Sequence, residues 1–433
     1  MWRYANRRIC EGARMRLKRL VLGVLAMSAG LTATAGAQTY SVLYNFVGGS
    51  GDGRYPAGSL IQSGSLLYGV TTNGGPADDG AIFSYNLASG AENMLHAFAG
   101  GTNDGDLPVG PLLQSGASLF GVTTLGGSAS NGTPHSGDGT LFSYSLSTGQ
   151  ETVLHSFTGS SIIGNLIDGS TPFGSLAQVG GTVYGTTLKG GTNNDGTIFS
   201  FSSSLFSGVN VVHSFSGTVT DGVGMPVGNL VGLGPTLYGL SQLGGGAGDV
   251  FSFNTATSAT EGAGFLNGAN GGGAVALTQS TQSGSIFYGV ANGGGADDRG
   301  SLFEFNAGTD AITLLHSFTG SDGMLSSPDG AAPSGPVVQS DTTLYGLTQG
   351  GGTLGGGTFY SFNISTGVFT DLYNLDDGPT GGLLMDGSTF YGAMQAGGTN
   401  NDGVLFSITV PEPGTFALLT AASVGLLRRR RIV

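Results

Sequence analysis

Short apolar and aromatic runs recur along the chain, separated by stretches rich in Gly, Asp, Asn and Ser. Four kinds of run follow one another in a fixed order, and examples of each are Val153-Leu-His-Ser-Phe157, Ser59-Leu-Ile-Gln62, Val183-Tyr-Gly185 and Gly196-Thr-Ile-Phe199. Runs of about four to seven β-prone residues between turn residues are typical of strands joined by hairpins. Helical periodicity is lacking between the two ends of the chain, so the pattern predicts an all-β protein.

The four runs repeat with a mean period of about 55 residues, which indicates a repeat architecture. A dipeptide of Tyr or Phe with Gly marks each repeat, and its glycines are Gly69, Gly121, Gly185, Gly239, Gly289, Gly346 and Gly392. We expect this glycine to allow close packing in a crowded inner strand. Four-stranded units of this length are the blades of a β-propeller, which usually has about four to eight blades.

The order of the runs at the two ends predicts how the array closes. The chain after residue 37 begins with a single strand of the first kind, Ser41–Phe46, and finishes before residue 410 with strands of only the other three kinds. We therefore predict a seven-bladed β-propeller of four-stranded blades, with the ring closed by the N-terminal strand joining the last blade. Closure removes two open sheet edges, whereas an open solenoid would need distinct capping repeats.

Residues 1–37 have the three parts of a secretory signal peptide. The basic residues Arg16, Lys18 and Arg19 precede the apolar stretch Leu20–Leu31. An A-x-A site then predicts cleavage before the first mature residue, and the residues that define it are Ala35, Ala37 and Gln38. Met15 would begin a better-proportioned signal, so it is predicted to be the true start.

Residues 411–433 also have three parts. They are the motif Pro411, Glu412, Pro413, the apolar stretch Gly414–Leu427, and the cluster Arg428, Arg429, Arg430, Arg431. The apolar stretch is shorter than the ~20 residues that cross a bilayer comfortably, and arginines after it would keep that end cytoplasmic. This tail resembles the PEP-CTERM protein-sorting domain of Gram-negative bacteria. The resemblance implies an exosortase-type transpeptidase as partner, a transient membrane anchor, and delivery to the cell surface or extracellular matrix, often with exopolysaccharide. A plain tail anchor is the alternative.

The repeats resemble the GloVer tandem-repeat family, whose members carry Leu-Tyr-Gly-Thr-Thr, Gly-Gly and Gly-Thr-Val-Phe strings. The best match is Val183-Tyr-Gly-Thr-Thr187 followed by Gly190-Gly191 and Gly196-Thr-Ile-Phe199. The resemblance extends over residues 41–410 and implies a surface-anchored repeat protein without implying an activity. The predicted organisation is thus a signal peptide (1–37), a seven-repeat body (38–410) and a sorting signal (411–433).

The predicted body is strongly acidic. Between residues 38 and 410 there are three basic residues, Arg54, Lys189 and Arg299, against 25 acidic residues, which gives a net charge of −22. Such a body repels nucleic acid and anionic lipid, so no nucleic-acid partner is expected. Because the single cysteine, Cys10, lies in the predicted signal peptide, disulfides and thiolate chemistry are excluded from the mature chain.

Histidines recur at one repeat position and are the first candidates for chemistry. They are His96, His155, His213 and His316, but Tyr44, Tyr373 and Ala263 hold the same position in other repeats. A position that accepts Tyr as readily as His favours a structural ring with a polar tip over a metal or acid–base role. His135 lies in an insertion and is predicted to be a solvated loop residue.

Aspartates recur in two loops of the repeat. One set precedes Gly (Asp52, Asp104, Asp168, Asp221, Asp329), and the other ends the Gly-Gly loop (Asp79, Asp138, Asp195, Asp298, Asp402). Calcium, which takes about six to eight oxygen ligands, is one interpretation. Turn formation is favoured, because Asp-Gly is a common turn dipeptide and no Asp-x-Asp-x-Asp-Gly loop occurs. A glycosidase pair of carboxylates from different repeats stays open, because separation across a ring is invisible in sequence.

The sequence contains no nucleophile elbow, zinc-protease motif or basic aromatic patch. We therefore predict no catalytic residue, no metal and no cofactor. The predicted function is a non-enzymatic surface protein that binds glycan or protein through loops at one end of the ring. Two alternatives stay open, namely a secreted polysaccharide-active hydrolase or lyase that uses carboxylates such as Asp52 or Asp104, and a structural component of the exopolysaccharide matrix.

Overall fold

The computed structural model describes residues 38–129, 135–160, 167–203, 208–218, 224–242, 248–320 and 329–411. Thr39–Thr409 forms one compact unit. Several predicted features lie outside the described residues, namely the signal peptide with Ala35 and Ala37, the aspartate Asp221, and the tail from Glu412 and Pro413 to the four arginines. Within the described ranges, no helix is both long enough and apolar enough to cross a bilayer.

Each repeat folds into four strands, because aromatic and β-branched residues are concentrated within a run and Gly, Asn or Asp ends it. The chain begins with β1 (Thr39–Asn45) and a short 3-10 helix (Gly49–Gly51). Unit 1 comprises β2 (Gly53–Ser63), β3 (Leu66–Gly74), β4 (Ala81–Asn86) and β5 (Glu92–Ala97). Unit 2 comprises β6 (Gly105–Ser115), β7 (Ser118–Gly126), β8 (Thr140–Ser145) and β9 (Gln150–Ser156). After the short β10 (Gly159–Ser160), unit 3 comprises β11 (Ile167–Val179), β12 (Thr182–Lys189), β13 (Thr197–Ser202) and β14 (Asn210–Ser214).

The remaining units follow the same plan. Unit 4 comprises β15 (Pro226–Leu233), β16 (Thr236–Ser241), β17 (Asp249–Asn254) and β18 (Thr260–Phe265). Unit 5 comprises β19 (Gly272–Gln279), β20 (Ile286–Gly293), β21 (Ser301–Asn306) and β22 (Ala311–Ser317). Unit 6 comprises β23 (Ala331–Ser340), β24 (Thr343–Gly350), β25 (Thr358–Asn363) and β26 (Val368–Asn374). Unit 7 has β27 (Pro379–Asp386), β28 (Thr389–Met394) and β29 (Val404–Thr409).

The strands of a unit pair in chain order as an antiparallel sheet. Unit 7 contributes three strands of its own, and β1 pairs with β29, with Thr39 opposite Thr409 and Asn45 opposite Val404. The beginning of the described chain therefore completes the sheet of the last repeat. Units 3 and 4 share one nine-stranded sheet, because Ser175 on β11 pairs in parallel with Asn229 on β15 and β10 adds to β11.

The first strand of each unit lies beside the first strands of its neighbours. Strand β27 also contacts β2, because the Thr380 hydroxyl donates to the Pro56 carbonyl at 2.9 Å and the Gly382 N–H donates to the Ser59 hydroxyl at 2.7 Å. The sheets are thus arranged in a propeller-like manner with the first strands at the centre. The strand with the Tyr-Gly dipeptide is the second strand of its sheet and has a neighbouring strand on each side.

The core lies between neighbouring sheets. The Phe98 ring after β5 packs against Phe142 on β8 of the next unit, with ring centroids 5.1 Å apart. Equivalent contacts between units join Phe46 to Phe83, Phe157 to Phe199, Phe215 to Phe251, and Phe318 to Tyr360. Such aromatic pairs contribute ~0.5–1.5 kcal/mol beyond area burial. Each unit therefore depends on its neighbour to bury its aromatic residues.

Packing explains the glycine of the Tyr-Gly dipeptide. Gly69 lies opposite Phe83 in the β3–β4 ladder. A Cβ atom at Gly69 would lie 2.6 Å from Cζ of Phe83 and 3.0 Å from Cδ2 of Leu60. The aromatic ring of the third strand therefore covers the glycine directly, and close packing at this position agrees with the prediction.

Candidate functional site

The ring at the repeated His or Tyr position contacts an aspartate of the loop that follows it. His155 Nε2 lies 2.8 Å from Asp168 Oδ2, and the Thr158 N–H donates to the other carboxylate oxygen at 2.9 Å. Three further pairs occupy equivalent positions, with distances of 3.0 Å for Tyr44–Asp52, 3.1 Å for His316–Asp329 and 3.5 Å for His96–Asp104. Each of these aspartates thus lies in a connection between two units, where it links the loop to the His or Tyr side chain that precedes it.

The second set of aspartates joins neighbouring units through the main chain. The carbonyl of Asp79 accepts the N–H of Leu107 at 3.0 Å, and equivalent bonds pair Asp138 with Thr171, Asp195 with Met225, and Asp402 with Tyr55. Placement of Asp298 in this set is wrong. Its carboxylate accepts the Gly294 N–H at 2.6 Å, as Asp78 accepts the Gly74 N–H at 2.8 Å, whereas Arg299 makes the main-chain bond.

Two glutamates that sequence reasoning missed face the side chain at the repeated His or Tyr position of the preceding unit. Glu92 on β5 and Glu151 on β9 hold matching positions in their ladders. The Oε1 atom of each is buried without a hydrogen-bond partner among the described residues. Burial, followed by the charges of Asp52 and Asp104 respectively, raises the pKa of both to about 7. An acidic residue within an apolar strand run was the signal that could have found them.

One cluster brings together residues of two units and of the insertion. Asp79 follows the Gly-Gly loop of unit 1, Asp106 lies on β6 of unit 2, and His135 comes from the longer loop between β7 and β8. Nδ1 of His135 lies 3.1 Å from Oδ2 of Asp106 and 3.7 Å from Oδ1 of Asp79. The predicted solvated loop residue is indeed partly exposed, at 48% of its side chain, but it binds a carboxylate pair.

Asp106 was not among the sequence candidates, although a signal for it was present. The residue after Asp-Gly is Arg54, Ser170 or Ala331 in other repeats, so an aspartate at this position departs from the pattern. Its side chain is only 1% exposed. Burial raises the pKa of Asp106 although His135 opposes the shift, and burial together with the charge of Asp106 raises the pKa of Asp79. Chemically, the cluster can hold a proton or a cation.

A central cavity of about 510 Å³ lies where the first strands meet. Every unit contributes to its wall, and the backbones approach so closely that a Cβ at Gly381 would lie 2.3 Å from the carbonyl carbon of Gly58. None of the described residues that line it is charged. The wall combines the ring of Phe173, which is 38% exposed, with the exposed amides of Gln349 and Gln395. These features suit an uncharged ligand with both apolar and hydrogen-bonding faces.

Comparisons with known families match both the body and the tail. A sequence model described as the Gloeobacter/Verrucomicrobia repeat matches residues 31–199 and 134–327. A model of the PEP-CTERM protein-sorting motif matches residues 409–431. No curated protein shows significant similarity to the chain.

Solved structures resemble the chain at low sequence identity. TolB from Acinetobacter baumannii is 15% identical, with a TM-score of 0.40 over 70% of this chain and 62% of TolB. The extracellular domain of a hybrid two-component system from B. thetaiotaomicron is 12% identical, with a TM-score of 0.53 over 87% of this chain and 43% of that chain. A chain of the Mitotic Checkpoint Complex is 12% identical, with a TM-score of 0.52 over 89% of this chain and 94% of that one. This chain covers less than two thirds of the length of TolB and of the two-component system domain. The likenesses to that domain and to the Mitotic Checkpoint Complex chain concern the fold alone.

Proposed function

Because this chain belongs to the Gloeobacter/Verrucomicrobia repeat family and carries a PEP-CTERM protein-sorting motif, we propose that it is a surface-sorted, closed seven-bladed β-propeller that binds a neutral glycan in its central cavity. The motif is a signal for exosortase-type processing of exported proteins, so an exosortase-type enzyme is the sorting partner. Signal cleavage before Gln38, a transient anchor held by Arg428–Arg431, and final attachment at the cell surface are part of the same proposal.

Two sets of contacts support the closed ring. The β1–β29 ladder joins the two ends of the described body, and the bonds from Thr380 to Pro56 and from Gly382 to Ser59 join the first strands of units 7 and 1. Joining both the inner and the outer strands in this way would leave no free end at which a further unit could stack, as a closed ring requires. A closed propeller of seven blades follows if each repeat is one blade.

The uncharged cavity wall is the observation that carries the proposed ligand. The body has a net charge of −22, yet the described residues around the cavity are neutral. A charged ligand would find no counter-charge there, whereas a sugar ring can stack on Phe173 and hydrogen-bond to Gln349 and Gln395. Ligand sites commonly combine a largely apolar wall with a few placed polar groups in this way. We therefore favour a neutral glycan over a protein partner.

A glycan array probed with the purified full chain, with and without calcium, tests this function. We expect binding to neutral oligosaccharides that does not depend on calcium. Phe173→Ala and Gln349→Ala should each weaken the best hit by about tenfold, which corresponds to ~1.4 kcal/mol. Gln150→Ala, an exposed glutamine on β9 outside the cavity wall, is the matched control and should bind as the wild type does. An array without neutral hits, or equal loss in the control, contradicts the proposal and favours a structural matrix role.

A polysaccharide-active enzyme is the second candidate, favoured by the meeting of Asp79 and Asp106 from different units. Paired carboxylates carry out glycoside hydrolysis in many enzymes. Asp52 and Asp104, the candidates from sequence, instead lie against Tyr44 and His96 in the connections between units. Release of reducing ends or unsaturated sugars from polysaccharides, abolished by Asp79→Asn but not by Asp402→Asn, would support this candidate. Identical release by both variants would argue against it.

A further inference from the structure

Two departures from the repeat pattern meet at one place. The loop between the second and third strands runs from Gly74 to Gly80 in unit 1 but from Gly126 to Gly139 in unit 2, and the added residues carry His135. Asp106 is the other departure, and its carboxylate on β6 contacts His135. The other repeats form the same four strands without the inserted His135 and without an aspartate at the position of Asp106. The contact of these two side chains at 3.1 Å therefore indicates a local role that is not the folding of the repeat.

We propose that Asp79, Asp106 and His135 form a binding site for one divalent transition metal, for which Zn²⁺ is the best match. Zinc bound tetrahedrally by nitrogen and oxygen at ~2.0–2.1 Å holds neighbouring ligand atoms ~3.3 Å apart. The distances from His135 Nδ1 to the two carboxylates, 3.1 Å and 3.7 Å, lie on either side of this value. One atom from each of the three side chains lies within 4.8 Å of the others, so a single ion can reach all of them.

The state of Asp79 points independently to a cation. Its side chain is 10% exposed, and its carboxylate contact among the described residues is the long ion pair with His135, at 3.7 Å. A largely buried carboxylate that is held by a single ion pair at 3.7 Å is costly, and a second carboxylate beside it increases the cost. Arg54, the basic residue nearest in sequence, is already paired with Asp78. A divalent ion would neutralise both carboxylates at once.

The ligand set distinguishes zinc from calcium. Calcium takes about six to eight oxygen ligands, whereas this cluster offers one imidazole nitrogen and carboxylates from only two residues. Imidazole together with carboxylate suits zinc and related transition metals. Three protein ligands leave a fourth position for water, and the half-exposed His135 side gives solvent access to it.

The neighbouring cluster of His96, Asp104 and Glu151 also brings one imidazole and two carboxylates within 4.8 Å of one another, but it belongs to the repeat pattern and does not depart from it. Its counterpart one unit earlier is Tyr44, Asp52 and Glu92, in which tyrosine replaces the histidine. The arrangement therefore recurs without a good metal ligand at the ring position, as expected for a connection between units. This cluster supplies a control within the same chain.

Titration of the purified, chelator-treated full chain with Zn²⁺ by isothermal calorimetry tests the site. We expect one Zn²⁺ per chain, with affinity at least about tenfold weaker in His135→Ala and Asp106→Asn, and weaker binding of Ca²⁺ by the wild type. Asp402→Asn, at the repeat position of Asp79 but without a histidine beside it, should retain wild-type affinity, as should His96→Ala. Thermal melts of the apo proteins report folding, and the loop position of His135 makes His135→Ala the variant least able to disturb it.

Three results would overturn the site. They are the absence of zinc binding by the wild type, zinc binding that His135→Ala and Asp106→Asn leave unchanged, and a loss of zinc affinity in His96→Ala but not in those two variants. The zinc site does not rest on the glycan function, because its readout is metal binding alone. Failure on the glycan array would therefore leave the zinc site standing, and the reverse also holds.

Discussion

Replacing Gly69 with alanine tests whether packing fixes the Tyr-Gly dipeptide. The added Cβ would lie 2.6 Å and 2.9 Å from two ring carbons of Phe83 and 3.0 Å from Leu60 Cδ2, whereas non-bonded carbons prefer ~3.5–4.0 Å. Phe83 is 1% exposed and packs against Phe46 of the neighbouring sheet, so its ring has little room to withdraw. Overpacking of a close-packed core costs ~1–3 kcal/mol. We expect Gly69→Ala to lower the free energy of unfolding by ~2–3 kcal/mol.

Urea denaturation followed by circular dichroism measures this loss. Gly181→Ala is the matched control, because Gly181 has an ordinary φ and no atom within 4 Å of an added Cβ. The control should change the free energy of unfolding by less than ~0.5 kcal/mol. Adding Phe83→Leu to Gly69→Ala should restore part of the stability, because the shorter side chain removes the overlapping ring carbons. Equal stability of Gly69→Ala and Gly181→Ala would refute the packing argument.

Two further predictions concern the connections between units. Glu151 is partly buried, and its pKa is raised from 4.5 to about 7. It therefore binds a proton more tightly in the folded chain than in the unfolded one, so stability should fall as pH rises through this window. Glu151→Gln should therefore flatten the dependence of Tm on pH between these values and raise Tm above them, and a decrease in Tm at neutral to alkaline pH would contradict the assignment. Tyr44→Phe removes the hydroxyl that donates to Asp52 and should cost ~1 kcal/mol in urea denaturation. Val368→Ala, at an exposed strand position, should cost less than half of that, and equal losses would argue against a role for the hydroxyl.

The strands could be predicted from sequence because each depends on residues close together in the chain. Val183–Gly185 and Gly196–Phe199 are short β-prone runs, and the turn between them includes Asn194 and Gly196 with φ values of 64° and 93°. Only Gly, Asn and Asp adopt such values readily, so the same residue types recur in every repeat. The pairing of the first strand with the last also followed from local order, because the body begins with a single run of the first kind and the last repeat lacks that kind.

The candidate site was harder to predict because its parts meet across the boundary between units. Asp79 belongs to one repeat, whereas Asp106 and His135 belong to the next. Comparison of repeat positions treats all copies as equivalent, and it therefore concealed the one copy that differs at Asp106. Glu151 was missed for a similar reason, since the ring that it faces, that of His96, lies in the preceding unit. Which neighbour a side chain meets is set by the packing of sheets, and strand patterns do not encode it.

The place of β29 within its sheet bears on how the protein resists force. This strand is not at an edge, because it is hydrogen-bonded to β28 on one side and to β1 on the other. It is also the last strand before the sorting motif, so tension from a surface attachment would enter the body through Thr409. Pulling β29 out lengthwise would require two ladders to slip together, whereas an edge strand would peel away from one. If the protein is tethered through its C-terminal tail, as proposed, the load would therefore act on a strand that is held from both sides and not on an edge strand.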